Sequence, residues 1–118
     1  MIQRTILHVL QDILKAAKNI EKFVDQMDFD HFEWDAKTIR AVERELEIIG
    51  EAVKRLPDDL VHEYPEIPWR AVAGMRDRLI HHYWDTEVEI LWKTVQDSIP
   101  LLSTIIEKMI ENETAKMR

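Results

Sequence analysis

Apolar residues recur every three or four positions along most of the chain, which is the pattern of amphipathic helices that bury one face. The first run predicts a helix over about residues 2–26. The second, from Ile39 to Leu56, alternates steps of three and four residues and suits packing along a neighbouring helix at a shallow angle. Asp28 or Asp30 is expected to begin this second helix, because an aspartate side chain accepts hydrogen bonds from its free amides.

Prolines mark the connection between the second helix and a third. Pro57 is expected to end the second helix, and Pro68 fits the first position of the third, where no amide hydrogen is needed. The chain before Pro68 should be rigid, since proline biases the preceding residue to extended geometry. The third helix is expected to carry Trp69 inward and to end near His81 and His82.

A capping-box pattern at Thr86 predicts the start of a fourth helix. Pro100 should bend or split this helix, because proline lacks the amide that a helix interior uses. The polar residues 111–118 are expected to fray. The sequence shows no strand-like alternation and no repeat, so it predicts a single all-α domain over residues 1–118, a bundle of four main helices.

The composition excludes several kinds of site. There is no cysteine, which rules out disulfides, thiolate zinc sites and cysteine nucleophiles. No glycine-rich phosphate loop occurs, and His81 and Asp85 alone do not make a metal site, so neither a cofactor nor a metal is expected. The apolar stretch near the N-terminus is too short for a signal peptide or a membrane span, so we expect a cytoplasmic protein without a membrane partner.

The net charge of −7 argues against a protein that coats nucleic acid through general electrostatic attraction. Residues 68–84 contain three arginines and one acid, and form a basic island in this acidic chain. Any contact with nucleic acid is therefore expected to be local and to involve this island.

The basic island contains Arg76, His81 and Tyr83 in the spacing Arg-x4-His-x-Tyr. Arginine binds phosphate with a planar fork, histidine exchanges protons near neutral pH, and a phenol offers a hydroxyl for bonding or modification. On a helix Arg76 and Tyr83 lie within about 20° of each other, whereas His81 lies about 140° from Arg76. His81 then joins the others only at a helix end or across a two-fold subunit interface. A simpler interpretation stays open, because arginine and histidine at a helix end often just bind its terminal carbonyl groups.

Three tryptophans flank or follow the motif and have two interpretations. Trp69, Trp84 and Trp92 could stack on the bases of a nucleic acid. Their size and helical spacing favour anchors in the core or in an interface.

Four segments together are far more specific than the Arg-x4-His spacing alone. They are Leu46–Ala52, Ile67–Arg70, the motif stretch Gly74–Tyr83, and Trp92. In these segments the chain resembles the HepT-like ribonucleases of the HEPN superfamily, and the similarity spans nearly its whole length. The resemblance implies an up-and-down bundle of four to five helices that acts as a homodimer and cuts RNA without a metal ion, with the motif lining a cleft between subunits.

The resemblance also implies a role for each motif residue. Arg76 would bind the phosphate and stabilise its charge, and His81 would transfer protons. Asp77, Arg78 and His82 are expected to support the site or to bind substrate. Asp77 stands where the family often has asparagine and His82 where glycine is common, so the second histidine is also a candidate for proton transfer.

Tyr83 matches the family tyrosine that a partner nucleotidyltransferase, an MntA-like antitoxin, adenylylates to silence the ribonuclease toxin. A modification there would place phosphate on the helix face that Arg76 shares, which blocks RNA by charge and by bulk. A function of another class stays open: a non-catalytic helical protein that binds the nucleotidyltransferase and serves as its regulatory substrate.

Overall fold

The computed structural model describes residues 2–75, 77 and 87–118. The regular elements in these residues are helices, and no strand occurs among them, which confirms the predicted all-α fold. In chain order they are α1 (Ile2–Phe23), α2 (Phe29–Glu33), α3 (Ala36–Val53), α4 (Asp58–His62), α5 (Trp69–Ala73), α6 (Glu87–Lys93) and α7 (Ile99–Lys116), with a π-helical turn (Thr94–Ser98) between the last two. No helix in the described ranges is long and apolar enough to cross a membrane.

The core lies between the three long helices, because α1 packs against both α3 and α7. Each of these helices turns its three-and-four-spaced apolar face inward. Residues on those faces are almost fully buried: Leu10, Ile13, Ile20, Val42, Leu46, Ile49, Ile106 and Met109. The helical bundle predicted from the periodicity is confirmed.

The start of the second long helix differs from the prediction. Asp28 caps the short helix α2, where its side chain accepts a hydrogen bond from the His31 amide at 2.9 Å. Asp35 caps α3 instead and accepts from the Thr38 amide at 3.0 Å. These amide hydrogen bonds stabilise the ionised carboxylates, so the pKa of Asp28 and the pKa of Asp35 both lie below their usual value. Asp30 does not cap a helix and lies in the first turn of α2.

The connection from α3 to α5 contains one more helix than predicted. Helix α3 ends at Val53, ahead of Pro57, and the short helix α4 follows with Pro57 as its N-cap. Pro68 caps α5 from outside, so the first residue of that helix is Trp69. Pro57, which was expected only to end a helix, therefore caps the start of another, and Pro68 lies one position before its helix instead of at its first position.

The interruption that Pro100 was expected to cause is present as a change in hydrogen bonding. Just before the proline, the Ile99 amide donates to the Thr94 carbonyl, a bond of the wider π type. Pro100 then lies in the first turn of α7, directly after this change in the hydrogen-bonding pattern. The prediction of an interrupted helix is confirmed, and the π-helical turn is the form it takes.

The C-terminal residues do not fray as predicted, since α7 continues to Lys116. Glu113 is only 3% exposed, and its carboxylate accepts a hydrogen bond from Lys116 Nζ at 2.7 Å. This bond raises the pKa of Lys116 above its usual value. Glu113 continues the inward row of Ile106 and Met109 at helical spacing, so the last turns are held by the burial of Glu113 and by its contact with the half-exposed Lys116.

Candidate functional site

Of the six candidate site residues, Asp77 belongs to the described part of the chain, where it is helical and exposed. The other five lie outside the described residues: Arg76, Arg78, His81, His82 and Tyr83. The pair His81 and Asp85, Trp84 and the capping box at Thr86 also lie outside them. Convergence of the motif therefore stays a prediction. Among the described residues, no group of three or more histidine, aspartate or glutamate side chains could hold a metal ion.

Helix α5 leads into the motif from a point fixed to the core. Trp69 begins this helix, and its indole Nε1–H donates to the Tyr64 carbonyl at 2.9 Å. Met75, directly before Arg76, is 9% exposed and belongs to the buried cluster. Helix α5 also packs against α3. The chain thus approaches Arg76 from a helix held at both of its ends.

Tyr64 joins the approach to the motif with the C-terminal helix. Its ring is buried, and its hydroxyl accepts a hydrogen bond of 2.7 Å from Asn112 Nδ2 in α7. Its carbonyl, as described above, accepts from Trp69. Tyr64 was not among the predicted site residues, because its partner lies 48 residues away in the sequence. The signal that could have indicated such a contact is the polar pair Asn112 and Glu113 at the end of an inward-facing row.

Removing the Tyr64 hydroxyl is expected to weaken the contact between Tyr64 and α7 measurably. Tyr64→Phe keeps the buried ring and should lower the free energy of unfolding by about 1 kcal/mol, because Asn112 is exposed and water replaces its partner. Urea unfolding of Tyr64→Phe, Asn112→Ala and the double variant forms a cycle that isolates the pair. We expect a coupling of about 0.5–1.5 kcal/mol, and additive losses would contradict the bond.

Helix α6 leaves the motif and is anchored by aromatic packing. The Trp92 ring lies 4.9 Å from the Phe32 ring and 6.5 Å from the Phe29 ring, centroid to centroid. Leu91, its neighbour, is 7% exposed. The interpretation of Trp92 as a core anchor is confirmed, and Trp69 is also partly buried against the core. Helices that pack on the core therefore come before and after the motif in the chain.

Two charged residues of the basic island are described, and both are exposed: Arg70 in α5, and Asp77. No ion pair of Arg70 occurs within the described residues. The guanidinium of Arg70 thus faces solvent without a carboxylate partner there, and it is a suitable reference for the motif arginines.

Comparison with known proteins identifies the family. The family model of HepT-like ribonucleases matches residues 13–109, a range that includes the whole of the motif. A protein of Thermococcus cleftensis named "Probable ribonuclease HepT" is 47% identical over 108 residues, which cover 92% of this chain and 98% of that protein. A protein of Methanocaldococcus jannaschii named "Putative RNase MJ0127" is 44% identical over 112 residues, which cover 95% of this chain and 93% of that one.

No solved structure matches the chain. The matched range covers most of the sequence, and the similar proteins align with it over nearly their full lengths. The resemblance noted from the motif segments is confirmed. The chain belongs to the family of HepT-like ribonucleases.

Proposed function

We propose that this protein is a metal-independent endoribonuclease whose reaction is carried by Arg76 and His81. The observation that carries the proposal is the family match over residues 13–109, within which the Arg-x4-His-x-Tyr spacing falls. Two similar proteins that are named ribonucleases align over more than nine-tenths of this chain. The described helices add support, because α5 and α6 pack on the core and come directly before and after the segment that carries the motif.

The reaction uses a nucleophile that RNA brings itself. The 2′-hydroxyl oxygen attacks the adjacent phosphorus while a base takes its proton, and the bond from phosphorus to the 5′-oxygen breaks as that oxygen gains a proton. The products are a 2′,3′-cyclic phosphate and a free 5′-hydroxyl. His81 moves the protons, since an ordinary histidine pKa of about 6.5 suits both directions of transfer. Arg76 stabilises the charge that builds on the phosphoryl oxygens.

The residues around this pair have supporting roles in the proposal. Arg78 adds a second positive charge for the RNA backbone, Asp77 orients the neighbouring arginine, and His82 helps to bind the substrate. The angle of about 140° between Arg76 and His81 on a helix favours a homodimer, in which each cleft receives the arginine of one subunit and the histidine of the other.

Regulation acts at Tyr83 in this proposal. The protein is the cytoplasmic toxin of a pair, and a nucleotidyltransferase antitoxin of the MntA type adenylylates the Tyr83 hydroxyl. Arg76 and Tyr83 are seven residues apart and share a helix face, so the added phosphate would pair with the arginine that RNA needs. The charge and bulk of the nucleotide then exclude the substrate.

The proposal is tested with purified protein in EDTA, after intact mass has shown that Tyr83 is unmodified. The wild type should cleave RNA, and Arg76→Ala should lower the rate by about 10²–10³-fold, because one preorganised charge at the phosphate is lost. Arg70→Ala is the matched control, an exposed arginine of the same basic island, and should leave the rate within a few-fold. No cleavage by the unmodified wild type, or equal rates in wild type and Arg76→Ala, would contradict the enzyme hypothesis. It would favour the alternative, a non-catalytic partner of a nucleotidyltransferase.

A further inference from the structure

The outward face of α1 carries a row of side chains that has no role in the proposed function. Its six residues follow one another at steps of four and three, and all are exposed: Arg4, His8, Gln11, Lys15, Lys18 and Lys22. At 1.5 Å per residue the row is about 27 Å long. It contains no acidic and no apolar side chain. We call these residues the outer row of α1.

The neighbouring helices show which way the outer row points. Asn19 Nδ2 donates to Glu45 in α3 at 3.1 Å, and Glu21 accepts from Ser103 in α7 at 3.0 Å. The two acids of α1, Asp12 and Glu21, lie about 80–100° around the helix from the centre of the row. The row is therefore turned away from both α3 and α7.

The outer row differs from the exposed face of α3 in its charge pattern. In α3 two of the three basic residues pair with an acid one turn on, Arg40 with Glu43 at 3.2 Å and Arg44 with Glu47 at 3.4 Å, whereas Lys37 forms no ion pair within the described residues. In the outer row, Lys18 pairs with Glu21 at 3.6 Å, whereas Arg4, Lys15 and Lys22 form no ion pair within the described residues.

Lys15, Lys18 and Lys22 stand three and four residues apart. Like charges at this spacing repel each other and destabilise a helix. The basic residues Lys37, Arg40 and Arg44 of α3 have the same spacing, but Arg40 and Arg44 each pair with a glutamate, which offsets the repulsion there. A ligand with repeated negative charges would offset the repulsion, and the length of the row requires that this ligand be extended.

We propose that the outer row of α1 binds the sugar–phosphate backbone of RNA and extends the substrate contact beyond the cleavage motif. This inference rests on the proposed function in taking RNA as the polyanion. Phosphate contacts need positive charge and little else, and they position a nucleic acid without reading its bases. The row lacks the aromatic or apolar anchors on which protein partners and membranes depend. The net charge of −7 argues against RNA binding over the whole surface, so we place this contact beside that of the cleavage motif.

The test removes the row without touching the core. Lys15, Lys18 and Lys22 are replaced together by glutamine, which has a similar helix propensity, in the His81→Ala background so that the RNA stays intact. The matched control replaces Arg40, Lys54 and Lys108 by glutamine; these residues are also exposed, and the change in net charge is the same. Circular dichroism checks that both variants remain helical.

Binding of a labelled, mixed-sequence RNA of 30 nucleotides is measured by fluorescence anisotropy between 50 and 300 mM salt. Loss of three phosphate contacts should weaken binding by about 10–100-fold at 0.1 M salt and reduce the slope of log affinity against log salt by about 2. The control variant should keep the slope of its parent. Equal losses in both variants, or no loss in the outer-row variant, would overturn the proposal.

The cleavage assay of the wild type keeps this inference separable from the proposed function. If the wild type fails to cut RNA while the outer-row variant alone loses RNA affinity, the catalytic proposal fails and the binding surface stands. If the wild type cuts RNA and the outer-row variant binds RNA like its His81→Ala parent, the binding surface fails and catalysis stands.

Discussion

Replacing His81 by alanine is expected to lower the rate of RNA cleavage by about 10²–10⁴-fold, the usual contribution of general acid–base catalysis. In the proposed mechanism the imidazole of His81 takes and returns the proton, whereas an arginine guanidinium such as that of Arg76 stays protonated near neutral pH. The loss should appear in the single-turnover rate at saturating protein. The affinity for RNA should change little, because backbone binding depends on fixed positive charge.

The neighbouring histidine provides the matched control. His82→Ala changes the same kind of side chain one residue away, and we expect its rate to stay within a few-fold of the wild type. The pH dependence of the rate should also flatten in His81→Ala and persist in His82→Ala. If His82→Ala carries the loss and His81→Ala does not, the two histidines exchange roles. If neither variant is impaired, histidine catalysis is wrong.

The buried faces of the long helices were predictable because they depend on short-range spacing alone. Ile13 and Ile20 in α1, and Leu46 and Ile49 in α3, were each placed inward by steps of three or four residues, and all four are buried. A helix turns by a fixed angle per residue. Apolar residues that repeat with the same period therefore identify the face of the helix that is buried.

The short helices and the C-terminal turns escaped prediction for a physical reason. Helices α2 and α4 have five residues each, too few to display a period, and their starts depend on local caps such as Asp28. The last turns of α7 read as polar and therefore mobile. Their order comes from partners that only the folded chain supplies, as when Asn112 meets Tyr64 across 48 residues of sequence.

The candidate site was likewise only partly predictable from the sequence. Its proposed chemistry rests on the identities of Arg76, His81 and Tyr83 and on the family resemblance, while their convergence depends on a helix end or a second subunit. The outer row of α1 could also have been recognised in the sequence, because its basic residues repeat at helical spacing. It was not predicted because its four basic residues, although they outnumber Asp12 and Glu21, are spread over residues 4–22 and meet on one side only when the helix forms.

Phe32→Ala is expected to lower the free energy of unfolding by about 3–5 kcal/mol, the largest stability effect that we predict. The Phe32 side chain is fully buried, and its ring packs on Trp92 at 4.9 Å between centroids. This contact fastens α2 to α6, the helix that follows the motif. Domains of this size are stable by only about 5–15 kcal/mol, so the loss would remove a large fraction of the total.

Trp34→Ala is the matched control for this prediction, because Trp34 is also an aromatic residue at the end of α2 but is 84% exposed. Its loss should change the free energy of unfolding by at most about 0.5 kcal/mol, as for surface positions in general. Urea unfolding of both variants gives the comparison, and similar losses would show that the burial of Phe32 does not anchor α6. Since α6 continues from the motif, Phe32→Ala should also weaken RNA cleavage at temperatures where the chain is still folded, whereas Trp34→Ala should not.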